Sequence, residues 1–154
     1  MPGLFTLTRF PSYLFNDVTY ESPKVPTLYT ALTSGASATS ADLYEKSSNP
    51  FVLGHNEVVE LVLYNKHMTN HPFHLHGHHF QAVWRSAPGG GDLPNGILPD
   101  DNLKQRPIRR DTLVVPNGGS AVLRFRADNP GTYESRKYAP MRVVALRRCN
   151  LAGT

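Results

Sequence analysis

The tetrapeptide Pro116-Asn117-Gly118-Gly119 lies between two runs that read as β-strands, "RDTLVVP" and "SAVLRFRA". Four turn-forming residues between β-branched and aromatic runs are a strong reversal signal, and a tight reversal implies antiparallel neighbours. In the second run Val122 faces away from Leu123, and Arg124 and Arg126 alternate with Leu123 and Phe125. That is the period of a strand, not of a helix. In "FVLGHNEVVELVLYNK" a short strand is expected at Phe51 to Leu53. A turn around Gly54 to Asn56 and a strand at Val58 to Tyr64 follow it. Val59, Leu61 and Leu63 make one face wholly apolar, while Val58, Glu60, Val62 and Tyr64 make the other mixed. "HHFQAVWRS" reads as a further strand with Phe80, Ala82 and Trp84 on one face.

Helix signals are scarce, with one short turn expected within Ala36 to Tyr44. A long Gly/Pro/Asp-rich loop spans Ser86 to Pro107, a length that in a compact domain points to function or disorder. With 154 residues the length fits one domain, and 13 Pro and 12 Gly suit a turn-rich all-β chain. The reading is an antiparallel β-sandwich or barrel with Greek-key character.

The formal net charge is +4 and lies wholly after Gly131, where Arg136, Lys137, Arg142, Arg147 and Arg148 oppose Glu134 alone. No nucleic-acid-binding motif accompanies this basic tail, so no nucleic-acid partner is expected. Cys149 is the single cysteine and rules out an internal disulfide. No apolar run reaches the ~18 residues of a membrane span. The N-terminal "MPGLFTLTRFPSYLF" carries an Arg in its apolar stretch and does not read as a signal peptide.

Chemistry concentrates in "HPFHLHGHHF", residues 71 to 80, which holds five of the seven histidines. Imidazole suits Cu, Zn, Fe and Ni. In an extended segment His74 and His76 project to one side and can bind one metal or two adjacent ones. Pro72 stiffens the approach, so His71 comes from another direction and could serve a separate centre. Gly77 lets the chain bend or lets another backbone come close. A surface tag would lack the interleaved apolar residues and the strand that follows. A cupin-type site would want a carboxylate soon after His76, where Gly77, His78, His79, Phe80 and Gln81 stand.

At "NHPFHLHGHHF" the chain resembles the last cupredoxin domain of multicopper oxidases. The likeness extends to "FNDVTYESPKVPTLYTALTSG", "NPFVLGHNEVVELVLYN" and "IRRDTLVVPNGGSAVLRFRADNPG", covering roughly Tyr13 to Gly131. It is most similar to the fungal laccase and iron-transport ferroxidase branch. The resemblance implies an all-β, cupredoxin-like Greek-key β-sandwich or barrel missing its last strand or strands. It implies copper as the cofactor, with His71 as a type 1 ligand, His74 as a type 2 ligand and His76 as a type 3 ligand. His78 and His79 match no ligand position. The intact family takes one electron at a time from a small reducing substrate, a phenol or ferrous iron, and reduces O2 to water. A secreted or cell-surface parent is expected.

Three departures qualify the likeness. First, the family follows "ADNPG" with a His-Cys-His segment, whereas "RADNPG" here leads into "TYESRKYAPMRVVALRRCNLAGT" with no further histidine. A blue copper site needs a Cys thiolate beside two His. Cys149, flanked by Arg148 and Asn150, is not expected to supply it. Second, the codons GGT ACG TAT GAG for Gly131 to Glu134 would resemble a splice donor. Residues 132–154 are therefore expected to be a non-family basic tail from intron read-through, and residues 1–12 match poorly. Third, ferroxidase members carry an acidic residue four positions before the first motif histidine. His67 stands there, which brings a laccase-like phenol oxidase forward as the alternative. The expected domain is 13–131, a C-terminal plastocyanin-like copper domain inactive as a fragment. The competing reading is a non-catalytic copper-binding or structural cupredoxin-like fragment. An incomplete sandwich would leave an open slot, which the apolar "MRVVALRR" is able to occupy.

Overall fold

Strand β3, Val58–Asn65, is the centre of the molecule. Its residues Val59, Leu61 and Leu63 are buried, as their alternation predicts, and so is Val62 on the opposite face. A strand buried on both faces needs a layer on each side. The computed structural model describes residues 14–16, 18–93, 98, 106–132 and 141–148 and supplies those layers. Cys149, residues 1–12 and half of the expected 86–107 loop lie outside the described residues.

The remaining strands are β1 (Leu14–Phe15), β2 (Val18–Thr19), β4 (His71–His74), β5 (Phe80–Arg85), β6 (Ile108–Arg110), β7 (Thr112–Val115), β8 (Ser120–Arg126) and β9 (Met141–Arg148). Seven form one sheet in the order β2-β1-β9-β3-β8-β5-β6, and β4 pairs with β7 in a second. All pairs are antiparallel except β1 with β9. The fold is an all-β, cupredoxin-like sandwich.

The larger core cluster joins Val59, Leu61, Leu63, Phe73, Phe80, Ala82, Val115, Ala121, Leu123 and Phe125. It fills the space between the two sheets. A smaller cluster of Val62, Val83, Leu93 and Val122 covers the other face. The expected face of Phe80, Ala82 and Trp84 is therefore corrected at its end. Val83 lies on the opposite face, as alternation places it, and a register shift against β8 between Ala82 and Trp84 carries Trp84 over to the same smaller cluster. An irregularity of this kind re-aims side chains that strict alternation would place elsewhere.

"RDTLVVP" is also not one strand. It breaks at Asp111, so that Ile108–Arg110 pairs with β5 and Thr112–Val115 pairs with β4. The chain crosses between sheets there, as at a sandwich corner. The Pro116–Gly119 reversal follows, with Gly118 at φ 53°. It is clasped by the start of the long loop: Gly89 N–H donates to Asn117 O at 2.7 Å and Gly91 N–H to Gly118 O at 2.8 Å. A Cβ on Gly119 would stand 2.4 Å from Ser86 Oγ, so only glycine fits without a shift.

Phe51 to Leu53 is not a strand, and Phe51 and Val52 are exposed. The expected turn in Ala36 to Tyr44 exists as two short 3-10 segments, Gly35–Thr39 and Ala41–Leu43. An unanticipated α-helix, α1 (Thr27–Thr33), precedes them with Pro26 at its N-cap. Proline is well suited to a helix start, but seven residues leave too short a window for periodicity to speak.

The tail occupies the slot beside β3. Met141–Arg148 pairs with β3 from Asn65↔Met141 to Val59↔Arg148, setting Leu61 opposite Leu146 and Glu60 opposite Arg147. A β-rich apolar segment next to an unpaired strand gains ladder hydrogen bonds and closes an edge. Among the described residues no helix is long and apolar enough to cross a membrane.

Candidate metal centre

Four motif residues, His71-Pro72-Phe73-His74, form β4. Phe73 is buried in the core cluster and fixes the strand's rotation. Alternation then sends His71 and His74 to opposite faces. His71 pairs with Val115 and His74 with Thr112, so the two rings also sit at opposite ends of the ladder.

His74 Nδ1 lies 2.9 Å from the carbonyl oxygen of Asp111 and 3.0 Å from Thr112 Oγ1. A carbonyl only accepts, so this contact holds the Nδ1 proton and leaves the Nε2 lone pair for a metal. That is the usual way a protein selects the ligating nitrogen. Asp111 Oδ2 is 4.0 Å from the same ring nitrogen and more than half exposed, too remote for a hydrogen bond. The Asp111 carbonyl also accepts from Leu75 N–H at 3.1 Å, so the sheet crossover grips both the ring and the chain that follows it.

His76 lies in the turn beyond β4. Its ring centroid is 4.7 Å from that of His74 with the planes 64° apart. The expectation that these two imidazoles project together is met in the structure, although His76 has left the strand. Gly77 takes φ 72°, the left-handed bend expected of it. Asn129 Nδ2 donates to the Gly77 carbonyl at 3.1 Å and ties the bend to the end of β8. His78 stands edge-on to Phe125 with centroids 5.4 Å apart, and its Nδ1 contacts the His76 carbonyl at 3.2 Å. It braces the turn that carries His76. His79 is exposed.

The other end of β4 holds a second imidazole pair that the sequence reading did not assemble. His67 Nδ1 is 2.9 Å from His71 Nε2, and the ring centroids are 5.0 Å apart. Thr69 Oγ1 is 2.8 Å from His67 Nδ1 and 3.1 Å from His71 Nε2. The loop is set by Asn65, fully buried at the end of β3. Asn65 Nδ2 donates to the carbonyls of Thr69, Val115 and Pro116 at 2.8, 3.2 and 3.1 Å, and Oδ1 accepts from His67 N–H at 3.0 Å. A polar residue closing an apolar strand was the available signal for it.

Comparison with known proteins decides the family. The multicopper oxidase model matches residues 20–136, most of the chain. The chain belongs to the multicopper oxidase family. It is 49% identical over 119 residues to the iron multicopper oxidase fer1 of Mycosarcoma maydis, covering 77% of this chain and 19% of that protein. It is 44% identical over 124 residues to the iron transport multicopper oxidase FET3 of Saccharomyces cerevisiae, covering 77% and 20% respectively. The crystal structure of Fet3p, a multicopper oxidase that functions in iron import, superposes with a TM-score of 0.73 at 38% identity, over 85% of this chain and 28% of that one. The chain thus spans about a fifth of the length of these curated relatives.

Family membership implies copper as the cofactor, and the His74–His76 pair fits it. Both rings are nitrogen donors held in one place, and the Asp111 carbonyl orients one of them with Nε2 outward. No group of three or more His, Cys, Asp or Glu able to hold a metal occurs among the described residues. The pair thus offers two of the donors that such a site would need.

Proposed function

We propose that residues 13–131 are the C-terminal copper domain of a multicopper oxidase, that residues 132–154 are a tail outside it, and that the chain contributes ligands without turnover of its own. In this reading His71 is a type 1 ligand, His74 a type 2 ligand and His76 a type 3 ligand. The observation that carries it is the His74–His76 juxtaposition with His74 Nδ1 committed to the Asp111 carbonyl. The opposite placement of His71 on β4 supports its assignment to a separate centre.

Copper bound there would supply one-electron chemistry coupling a reductant to O2. The protein's own part is narrower. Phe73 anchors the strand, Asp111 orients the His74 ring, and Gly77 with Asn129 turns His76 back beside it. The named relatives are an iron multicopper oxidase and an iron transport multicopper oxidase, which favours ferrous iron over a phenol as the parent's reductant. After "RADNPG" the sequence reads "TYESRKY" in place of a His-Cys-His segment, which favours an incomplete type 1 site.

Copper loading of this chain tests the proposal. Bound Cu(II) with imidazole coordination is expected, without the intense blue thiolate band and without O2 uptake on adding ferrous iron or a phenol. A blue species, or O2 consumption with either reductant, would overturn the inactive reading. Failure of a His74→Ala, His76→Ala double variant to lose any copper would overturn the ligand assignment. Transcript sequence across Gly131 checks the tail, because splicing onto a His-Cys-His exon would mark residues 132–154 as read-through.

A further inference from the structure

We propose that the apolar face of α1 is a dimer contact whose occupant is a second copy of this chain. No described residue from 16 to 58 is buried. Within that segment the helix Thr27–Thr33 is formed although none of its seven residues is buried. So short a helix is not held in water by propensity alone, and short helices are stabilised by burying an apolar face. The described residues do not supply that burial. Leu28, Tyr29 and Leu32 share one helix face, at the i, i+1 and i+4 positions of a stripe. They are 56, 63 and 72% exposed, and Val25, just before the Pro26 N-cap, is 54% exposed. Thr27 and Thr30, on the opposite side of the helix, line a groove with Leu43 and Tyr44, so the stripe faces away from the rest of the chain.

Charge and area both suit a second copy. No charged residue occurs from Val25 to Ala41, so two such faces meet without like-charge repulsion. The exposed residues that flank this stretch, Glu21 and Lys24 before it and Asp42, Glu45 and Lys46 after it, carry both signs. A mixed rim can complement itself, whereas an anionic lipid surface would call for a basic one. At their exposures the four side chains present roughly 450 Å² of apolar surface per copy, and two copies with a polar rim pass the ~1,000 Å² that a specific interface needs. A two-fold axis beside Thr30 sets Leu28 of each copy opposite Leu32 of the other, the self-complementary contact of an isologous dimer.

Sedimentation equilibrium of the full chain tests this, with a thiol reductant present so that Cys149 cannot link copies. The chain is expected to be dimeric by about 100 µM. Leu28→Glu and Leu32→Lys are each expected to weaken association at least about 10-fold, with unchanged circular dichroism because both positions are exposed. An equimolar mixture of the two variants is expected to associate again. One Leu28–Leu32 contact then survives, and the two introduced charges of opposite sign face each other at the second. Damage to the fold of either variant would not be repaired by mixing. A chain that stays monomeric at that concentration is the result expected if another domain of a longer parent covers the face, and it overturns the proposal. So does undiminished association of folded Leu32→Lys, or a mixture that associates no more tightly than either variant alone. The outcome is independent of the copper ligand roles of His71, His74 and His76.

Discussion

The two imidazole pairs at the ends of β4 are held by different means. At the His74 end the constraint is backbone: a carbonyl at a sheet crossover takes the ring proton and the neighbouring amide together. At the His67 end the constraint is a buried side chain, Asn65, reaching three carbonyls and one amide. A backbone latch survives most substitutions in its own residue. A side-chain latch is lost with a single change. The first pair should therefore resist mutation nearby, and the second should be fragile.

The largest effect is expected from Asn65→Ala. It leaves buried carbonyls without donors and should cost about 3 kcal/mol in urea unfolding. The His67–His71 ring contact should open, read from the imidazole NMR resonances, while that of His74 and His76 persists; equal change at both ends would break the contrast. Gly119→Ala comes next. Its new Cβ would collide with Ser86 Oγ beneath the loop, and the Gly119 carbonyl accepts from Asn65 N–H at 2.8 Å. A loss of about 2 kcal/mol is expected by thermal melting. Thr112→Val removes a secondary contact of the His74 ring, but the Asp111 carbonyl remains. Stability should move by no more than about 0.5 kcal/mol, with copper affinity at that pair falling only a few-fold by titration. Glu60→Gln serves as the control at neither end. Arg124 Nε donates to Glu60 Oε1 at 2.9 Å on the outer face of the sheet, and Arg124 is about a third exposed. A change of about 0.5 kcal/mol is expected, discounted for solvent screening, with both imidazole pairs intact.

The parts of this molecule that could be read in advance are those governed by period and by turn chemistry. Val59, Leu61 and Leu63 announced the inner face of β3, and Pro116 to Gly119 announced a reversal. The motif histidines announced their own chemistry, and His74 and His76 do come together. What escaped was decided by tertiary context. Trp84 leaves the face of Phe80 and Ala82 because the register against β8 shifts, which no local pattern encodes. Asp111 looks like one more residue of a strand, yet the chain changes sheets there. Phe51 to Leu53 has strand composition but no partner among the described residues. His67 was noticed as a departure from a family pattern, but its closeness to His71 depends on Asn65 folding the intervening loop.

The position of β9 sets how late one edge of β3 can close. The β3 strand is synthesised long before residues 141–148 leave the ribosome, yet those residues form its ladder on one side. Until then its edge is open to any strand that offers itself. Contacts so distant in sequence form slowly because loop closure comes before any reward. A nascent chain of this protein is thus most exposed to misassociation late in translation, and a chaperone that shields β3 would act in that interval.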